Sequence, residues 1–188
     1  MIIVRAWPYN PVAAGRPHVD DGWLKVPVDD YDYRALAETG EDVLTLDWDT
    51  AVSREDLLAF AGHAQARPGR ILTAPCRLYR RGLPARWNVS LYDRARPEGF
   101  VTAAEGTELV HATGFGMVYL PRDLLAGYVA ANPGRPMTDL SFCWWHHHEA
   151  EPFLRVDWSV RPVHLHYPEC EDGTFGQAAD SPLAASVA

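Results

Sequence analysis

Two carboxylates that follow a short apolar segment are the residues of this chain that most clearly suggest chemistry. Asp47 and Asp49 flank Trp48, directly after the apolar and β-branched run Val43–Leu46. Because side chains alternate along a strand, a strand that continues through this motif would point both carboxylates to the same side. Adjacent carboxylates repel unless a cation lies between them, and Mg²⁺ and Mn²⁺ favour such oxygens. The motif predicts a divalent metal site; its alternative interpretation is a turn in which one Asp caps the helix beginning near Ser53.

A glycine-containing segment later in the chain is the second candidate element. Gly114, Phe115 and Gly116 precede the apolar run Met117–Leu120. Two glycines around an aromatic residue permit a tight backbone path and the close approach of a ligand. The alternative interpretation is a turn that only leads into the next strand, after which Pro121 opens a helix at its favoured first position.

An acidic residue precedes an unusually aromatic stretch. Asp139 lies shortly before Phe142, Trp144 and Trp145, at the predicted start of a helix. Low-dielectric walls raise the pKa of a carboxylate, which makes Asp139 a candidate general base. An equally good interpretation is that Asp139 caps that helix.

Two groups of histidines are candidates for metal ligation, and they differ in geometry. The run His146–His148 cannot hold one ion on a helix, because consecutive helical positions point about 100° apart. We therefore expect that run at the surface or in indirect support of a site. The segment Val163–Tyr167 instead fits a strand with His164 and His166 on one face, and a neutral imidazole near a sheet edge is a good metal donor. Its alternative interpretation is a pair of solvated or hydrogen-bonded histidines.

The elements that must position these residues alternate between strands and helices. Strand-like segments lie at Ile2–Ala6, Val43–Leu46, Arg70–Thr73, Gly116–Leu120 and Val160–Tyr167. Helical patterns lie at Tyr33–Glu38, Arg54–Ala66, Arg122–Asn132 and Asp139–His148. The alternation predicts an α/β protein, a three-layer α/β/α sandwich with a mostly parallel central sheet. The arginine-rich segment Pro75–Pro97 is predicted as a long loop with a short hairpin near Trp87–Tyr92.

Composition places these elements in one domain and excludes some functions. The chain has 188 residues, 47% of them hydrophobic, enough for one core, with a domain over residues 1–170 and a disordered tail over 171–188. A net charge of −8 argues against a general nucleic-acid coat. No run approaches the roughly 18 apolar residues that span a membrane. Three cysteines without paired spacing fit a reduced, cytoplasmic protein.

The order of the motifs, rather than any one of them, resembles the GT-A fold of nucleotide-sugar glycosyltransferases. The resemblance runs from Ile2 to Tyr167. Its segments Leu46–Asp49, Thr113–Arg122 and Val163–Tyr167 are similar to those of small glycosyltransferases encoded by bacteriophages. Some of those enzymes are associated with hydroxylated pyrimidines in phage DNA.

The resemblance implies a role for each motif. Asp49 would be the direct metal ligand, Asp47 would contact ribose or metal-bound water, and His164 or, slightly favoured, His166 would be the late metal-binding histidine. The remaining implied roles are a donor- and acceptor-flanking loop at Gly114–Gly116, a base at Asp139 if the reaction inverts, and stacking of Trp7 and Tyr9 on the nucleotide base. One departure is Thr138, which stands where the family more often has Glu.

The activity implied by the resemblance is metal-dependent glycosyl transfer. Mn²⁺ or Mg²⁺ would be the cofactor and a nucleoside-diphosphate sugar, above all UDP-glucose, the donor. The acceptor would be a hydroxyl, with 5-hydroxymethylcytosine of phage DNA in the host cytoplasm as one prediction and a protein or glycan as the alternative. Two other classes stay open: a non-catalytic nucleotide-sugar-binding module, and a metal-dependent phosphohydrolase.

Overall fold

The computed structural model describes residues 1–8, 18–29, 31–78, 86–96, 99–150 and 154–165. Its α-helices are α1 Arg34–Glu38, α2 Arg54–Gln65, α3 Arg122–Ala131 and α4 Asp139–Trp145, and a π-helical turn over His146–Ala150 continues α4. Its strands are β1 Ile2–Pro8, β2 Leu24–Val28, β3 Val43–Asp47, β4 Thr50–Ala51, β5 Leu72–Thr73, β6 Arg77–Leu78, β7 Arg86–Trp87, β8 Val89–Tyr92, β9 Phe100–Thr102, β10 Leu109–Val110, β11 Ala112–Thr113, β12 Met117–Leu120, β13 Leu154–Val156 and β14 Val163–His164. Within these ranges, no helix has the length and apolar character to cross a bilayer.

Seven strands form the central sheet, in the order β10-β13-β5-β12-β3-β1-β2. β1 is parallel to β2 and to β3, and β5 is parallel to β13. β12 is antiparallel to both of its neighbours, β3 and β5, and β10 is antiparallel to β13. All strands of the sheet except β10 and β12 therefore point the same way. This mostly parallel sheet with its helices confirms the predicted α/β class, and the three-layer sandwich stays a prediction.

Local sequence signals explain where two of the helices begin. Ser53 precedes α2, and its Oγ accepts a hydrogen bond from the backbone N–H of Asp56 at 3.0 Å, as expected for an N-cap residue. α4 begins with a capping box: Thr138 Oγ1 accepts from Ser141 N–H at 3.1 Å, and Ser141 Oγ accepts from Thr138 N–H at 2.8 Å. These caps fix the helix starts that lie beside the candidate site residues.

Alternation along β3 divides the hydrophobic core into two clusters. Val43 packs in one cluster and Leu44 in the other, since neighbouring side chains of a strand point to opposite faces. The cluster around Val43 contains residues of α1, α3 and α4, whereas the cluster around Leu44 contains Leu57 and Phe60 of α2. Helical side chains therefore cover both faces of the sheet at β3.

Several predicted elements differ from those observed. β2 pairs with β1, and no sequence pattern predicted it. Of the strand predicted over Val160–Tyr167, the described residues, which reach Leu165, contain only β14, and it pairs with β4 outside the central sheet. The hairpin predicted near Trp87–Tyr92 extends beyond those residues, because β8 pairs antiparallel with the next strand, β9, and also with β11, while β7 pairs with β6. The helix predicted over Asp139–His148 leaves α-geometry at its last three residues. The predicted tail lies outside the described residues.

Candidate metal centre

The Asp-Trp-Asp motif forms the turn between β3 and β4. Asp47 is the last residue of β3, and Trp48 and Asp49 form the turn itself. Backbone hydrogen bonds hold this turn, from Asp47 N–H to the Gly116 carbonyl and from Val19 N–H to the Trp48 carbonyl, both at 2.9 Å. The prediction that strand alternation aligns the two carboxylates is wrong in its reason, because Asp49 lies beyond the strand. The turn nevertheless brings both carboxylates to one place.

His164 joins these carboxylates through the short β14. This strand is antiparallel to β4 and places His164 opposite Thr50, while Leu165 N–H donates to the Asp49 carbonyl at 2.7 Å. One ligand atom from each of Asp47, Asp49 and His164 lies within 4.8 Å of the other two. Across the described ranges, it is the only group of three or more His, Cys, Asp or Glu residues arranged so closely.

One buried oxygen in this cluster is suited to a cation. Asp49 is 7% exposed, and its Oδ1 has no hydrogen bond within the described part of the chain, although His164 Nε2 lies 3.0 Å away. The two atoms form an ion pair when His164 is protonated, and a metal ion bound by both side chains would take the place of that proton. Two carboxylates and an imidazole suit Mn²⁺, and the carboxylates suit Mg²⁺. The residues present therefore fit a divalent metal ion with further coordination positions open.

The charges of the cluster perturb one another. Burial and the neighbouring charge of Asp49 raise the pKa of Asp47 to about 7, against the opposing influence of His164 and of the Tyr33 hydroxyl. That hydroxyl donates to Asp47 Oδ1 at 3.2 Å. Burial lowers the pKa of His164, but the carboxylates of Asp49 and Asp47 outweigh burial and raise it overall. A metal ion must displace these protons, so its binding is coupled to pH.

Arg5 lies behind the turn and fixes its backbone. Its side chain is fully buried, and its Nη1 donates to the carbonyls of Asp47 at 2.5 Å and Thr50 at 3.1 Å. Its Nε and Nη2 donate to the carboxylate of Asp21. A guanidinium that ties both ends of the turn together is a positioning group for the two carboxylates. Sequence reasoning missed it, although a lone arginine inside the apolar strand Ile2–Pro8 was a signal that a buried charge needs partners.

The cluster lies in a cavity of about 330 Å³. The cavity is lined by aromatic, acidic and loop residues, namely Tyr31, Tyr33, Asp47, Trp48, Asp49, Cys76, Leu78, Asn88, Gly114, Phe115, Gly116, Asp139 and His164. The strand ends, the glycine segment and the start of α4 therefore meet around one space, which has the size of a small-molecule site.

Close contact with Asn88 and Cys76 explains why the loop carries glycines. A Cβ at Gly114 would lie 3.2 Å from Asn88 Nδ2, and one at Gly116 would lie 3.0 Å from Cys76 Sγ. Asn88 itself joins the two segments, because its Oδ1 accepts from Cys76 N–H at 2.8 Å and its backbone carbonyl accepts from Gly114 N–H at 2.9 Å. Phe115 is 2% exposed and packs against Tyr33, with ring centroids 4.9 Å apart. Sequence reasoning missed both Asn88 and Cys76.

Asp139 faces the same cavity as the first residue of α4. The interpretation that Asp139 caps this helix is wrong, because Thr138 is the N-cap. Burial raises the pKa of Asp139, against the hydrogen bond that its Oδ1 accepts from Leu140 N–H at 2.6 Å. A carboxylate of this kind, held toward a cavity, is suited to accept a proton.

Other predicted site residues are not brought into this cavity. Trp7 does not line it, and the Lys25 ammonium lies 4.3 Å from the centroid of the Trp7 ring. Tyr9 and His166 lie outside the described residues, so their roles stay predictions. The aromatic residues that do line the cavity are Tyr31, Tyr33, Trp48 and Phe115.

The His146–His148 run is separate from the metal centre. His146 is 1% exposed, so the expectation of a surface position is wrong for this residue. The His147 ring lies 4.2 Å from the ring of His111, and the two histidines after His146 lie beside Tyr92. None of the three lines the cavity of the metal centre.

Comparison with known proteins identifies a similar fold but neither a family nor an activity. No protein-family model and no curated protein matches the chain. Seven chains of solved structure match it, among them the crystal structure of A197 from STIV, which is 12% identical and superposes with a TM-score of 0.52. That match covers 96% of each chain. The two proteins thus share a similar fold along nearly their whole length, and the chain is an α/β protein with a group that could hold a metal ion.

Proposed function

We propose that this protein is a metal-dependent glycosyltransferase that uses a nucleoside-diphosphate sugar as its donor. The observation that carries the proposal is the convergence of Asp47, Asp49 and His164 in one cavity that Asp139 also faces. This arrangement joins the motifs on which the resemblance to GT-A glycosyltransferases rests. The similarity in fold to A197 from STIV is compatible with the proposal, but a shared fold does not identify an activity.

The donor diphosphate belongs beside the three metal-ligating side chains. Asp47, Asp49 and His164 would hold Mn²⁺ or Mg²⁺, which when bound supplies Lewis-acid stabilisation of the leaving nucleoside diphosphate. Arg5 and Tyr33 keep the two carboxylates in place. The chain's own contribution here is a fixed set of ligands, which lowers the reorganisation needed during the reaction.

The sugar and the acceptor belong in the cavity that the glycine segment and Asp139 line together. A Cβ built at Gly114 would lie 3.7 Å from Asp139 Oδ2, so this carboxylate lies directly against the loop. Asp139 would accept the proton of the acceptor hydroxyl as the new glycosidic bond forms, if the anomeric configuration inverts. The raised pKa of Asp139 makes it a stronger base than an exposed aspartate.

The identities of donor and acceptor follow from the resemblance alone. UDP-glucose is the proposed donor, and the hydroxyl of a hydroxymethylated pyrimidine in DNA is the proposed acceptor. A protein or glycan hydroxyl is the alternative acceptor. Trp7 and Tyr9 remain proposed contacts of the nucleotide base, and Tyr31 and Tyr33 are aromatic residues that line the described cavity together with the metal ligands.

Calorimetry tests the donor site first. UDP-glucose, UDP and GDP are titrated into the protein with Mn²⁺ and then with EDTA. We expect binding that requires the metal, that is lost in Asp49→Asn, and that is retained in Asp123→Asn, since the Asp123 side chain is 92% exposed at the start of α3. Metal-dependent binding that survives in Asp49→Asn would reject the assigned centre.

Turnover then separates the three functional classes. With a donor established, acceptors are screened beginning with DNA that contains hydroxymethylcytosine, and released nucleotide and inorganic phosphate are both measured. Asp139→Asn should keep donor binding and lose transfer. Phosphate release without transfer to any acceptor would indicate a phosphohydrolase, and binding without turnover would indicate a non-catalytic module.

A further inference from the structure

A second and larger cavity, of about 700 Å³, lies at a different place in the fold. It is formed by the loop after α2, the strands β5 and β13, and the segment that follows β13, with the lining residues Arg67, Pro68, Arg70, Leu72, Gly106, Glu108, Arg155, Val156, Asp157 and Trp158. It shares no lining residue with the cavity of the metal centre. Nothing in the proposed glycosyl transfer uses it.

Arginine side chains give this cavity its chemistry. Arg155 is partly buried on β13, and its guanidinium makes no hydrogen bond, ion pair or ring contact within the described ranges, whereas its backbone N–H donates to the Ile71 carbonyl. Arg67 stands at the end of α2, where its Nη1 donates to the His63 carbonyl at 3.1 Å and leaves the other guanidinium nitrogens available. Arg70 contributes a third guanidinium to the lining. Guanidinium groups bind phosphate oxygens through paired hydrogen bonds, which makes such a cluster suited to a phosphorylated ligand.

The two acidic residues of the lining, Asp157 and Glu108, do little to neutralise the charge of the arginines. The Asp157 carboxylate lies 2.5 Å from His63 Nδ1 and accepts hydrogen bonds from the hydroxyl and the backbone N–H of Ser159. It is therefore engaged by partners other than the arginines. Glu108 is exposed, so water and salt screen its charge. The partly buried Arg155 remains the cation of the lining that has no partner.

An apolar wall accompanies the arginines. The indole N–H of Trp158 donates to the Thr107 carbonyl at 2.9 Å, and its ring packs edge-on against Trp87 with centroids 5.1 Å apart. The polar edge of Trp158 is thus satisfied inside the protein, and the ring offers apolar surface to the cavity together with Pro68 and Leu72. A ligand with a charged group at one end and a less polar group at the other matches this lining.

We propose that this cavity binds a small phosphorylated molecule, with its phosphoryl oxygens on the guanidinium groups of Arg155 and Arg67 and its uncharged part against Trp158. The volume falls in the range of about 300–1,000 Å³ that is usual for small-molecule sites. The site needs neither the metal ion nor the sugar donor, so it stands independently of the proposed transferase activity.

Calorimetry of the full chain at low salt, with EDTA present throughout, tests this site. The probes are pyrophosphate, UMP and glucose 6-phosphate, and uridine and glucose serve as the uncharged controls. Binding of UMP and not of glucose 6-phosphate would identify a nucleotide as the source of the phosphoryl group, and the reverse would identify a sugar phosphate. Comparable binding of all three probes would mean that the phosphoryl group alone is recognised.

Four variants decide where the ligand binds. Arg155→Gln and Arg67→Gln should each weaken binding about 10- to 100-fold, the loss expected for a charged hydrogen bond. Arg122→Gln, an arginine with a 64% exposed side chain on α3, and Asp49→Asn should leave binding unchanged. Thermal unfolding of each variant monitors folding. Because Arg67 is exposed, Arg67→Gln should fold and still test binding at the cavity if Arg155→Gln does not fold.

Three results would overturn the proposal. The first is the absence of binding by every phosphorylated probe at low salt. The second is binding that neither arginine substitution in the cavity weakens, or that Asp49→Asn also abolishes. The third is binding of a short single-stranded oligonucleotide without binding of any small probe, which would indicate an extended nucleic-acid surface instead.

Discussion

Replacing Arg5 by methionine should both destabilise the protein and loosen the metal centre. Arg5 is fully buried, and its guanidinium ties the carbonyls of Asp47 and Thr50 together behind the Asp-Trp-Asp turn. Methionine keeps much of the apolar stem of arginine and removes all of its donors. The substitution therefore tests the hydrogen bonds of the guanidinium with little change in packing.

The magnitude follows from the groups left behind. The buried Thr50 carbonyl left without a donor costs about 1–3 kcal/mol, and the part-buried Asp47 carbonyl, which water can reach, costs about 0–1 kcal/mol. Asp21 also loses its partner, but its side chain is 28% exposed, so water can replace much of that interaction at a cost of about 0–1 kcal/mol. We expect a loss of about 2–4 kcal/mol in the free energy of unfolding, most of it from the buried Thr50 carbonyl. Such a loss is a large part of a typical stability of about 5–15 kcal/mol.

Urea unfolding in EDTA measures the first effect, and Mn²⁺ titration of the folded protein measures the second. Loss of a group that orients metal ligands should weaken Mn²⁺ binding by about 10- to 100-fold. Arg5→Lys keeps one charge and cannot reach both carbonyls and Asp21, so it should fall between the wild type and Arg5→Met. The matched control is Arg122→Met, whose exposed side chain should cost no more than about 0.5 kcal/mol.

The reasoning would be refuted by a loss below about 1 kcal/mol in Arg5→Met together with unchanged Mn²⁺ affinity. In that case the guanidinium would neither satisfy the turn nor position its carboxylates. A large loss of stability with unchanged Mn²⁺ affinity would keep the structural role of Arg5 and reject its role in positioning.

Further predictions concern pH, the hydroxyl beside Asp47 and the glycine loop. The pKa of Asp47 is raised from 3.8 to about 7, so between these pH values the folded metal-free protein keeps a proton that the unfolded chain releases. The free energy of unfolding should therefore fall as the pH rises between those two values. Unfolding curves in EDTA should show this slope, and Asp47→Asn should reduce it. Tyr33→Phe removes the donor to Asp47 and should weaken Mn²⁺ binding about tenfold by calorimetry, and unchanged affinity would exclude a supporting role for the hydroxyl. Gly116→Ala places a Cβ 3.0 Å from Cys76 Sγ and should cost about 1–3 kcal/mol in urea unfolding. Gly62→Ala in α2, whose Cβ would meet nothing within 4 Å, should instead stabilise the protein by about 0.5–1 kcal/mol. Equal effects of the two substitutions would contradict the packing argument.

The sequence predicted elements well where one local signal dominates. Apolar β-branched residues marked β3 and β12, and Ser53 marked the start of α2, because a short apolar run and a capping side chain can both be recognised from neighbouring residues. β2 was missed, since Leu24–Val28 contains a lysine and a proline and lies at the edge of the sheet. A proline is tolerated there but weakens any strand prediction.

The residues of the candidate site likewise separate into those that local motifs predicted and those that they did not. Asp47, Asp49, Gly114, Gly116, Asp139 and His164 were named from local motifs, and all of them line one cavity. Arg5, Asn88 and Tyr33 were not named, because their importance comes from partners that are distant in the chain. The hydrogen bonds from Arg5 to Thr50 and from Asn88 to Gly114 exist only once the chain has folded. No periodicity in a single sequence encodes such contacts.

The pairing of β14 with β4 has a consequence for how the protein matures during synthesis. The two carboxylates leave the ribosome early, whereas His164 emerges among the last residues of the described chain, on a strand that the central sheet does not include. Closing so long a loop onto the Asp-Trp-Asp turn carries an entropic cost that only late contacts repay. A nascent chain that stops before β14 has all seven strands of that sheet and only two of the three side chains that could hold a metal ion. Capture of the ion would then report that β14 has paired with β4.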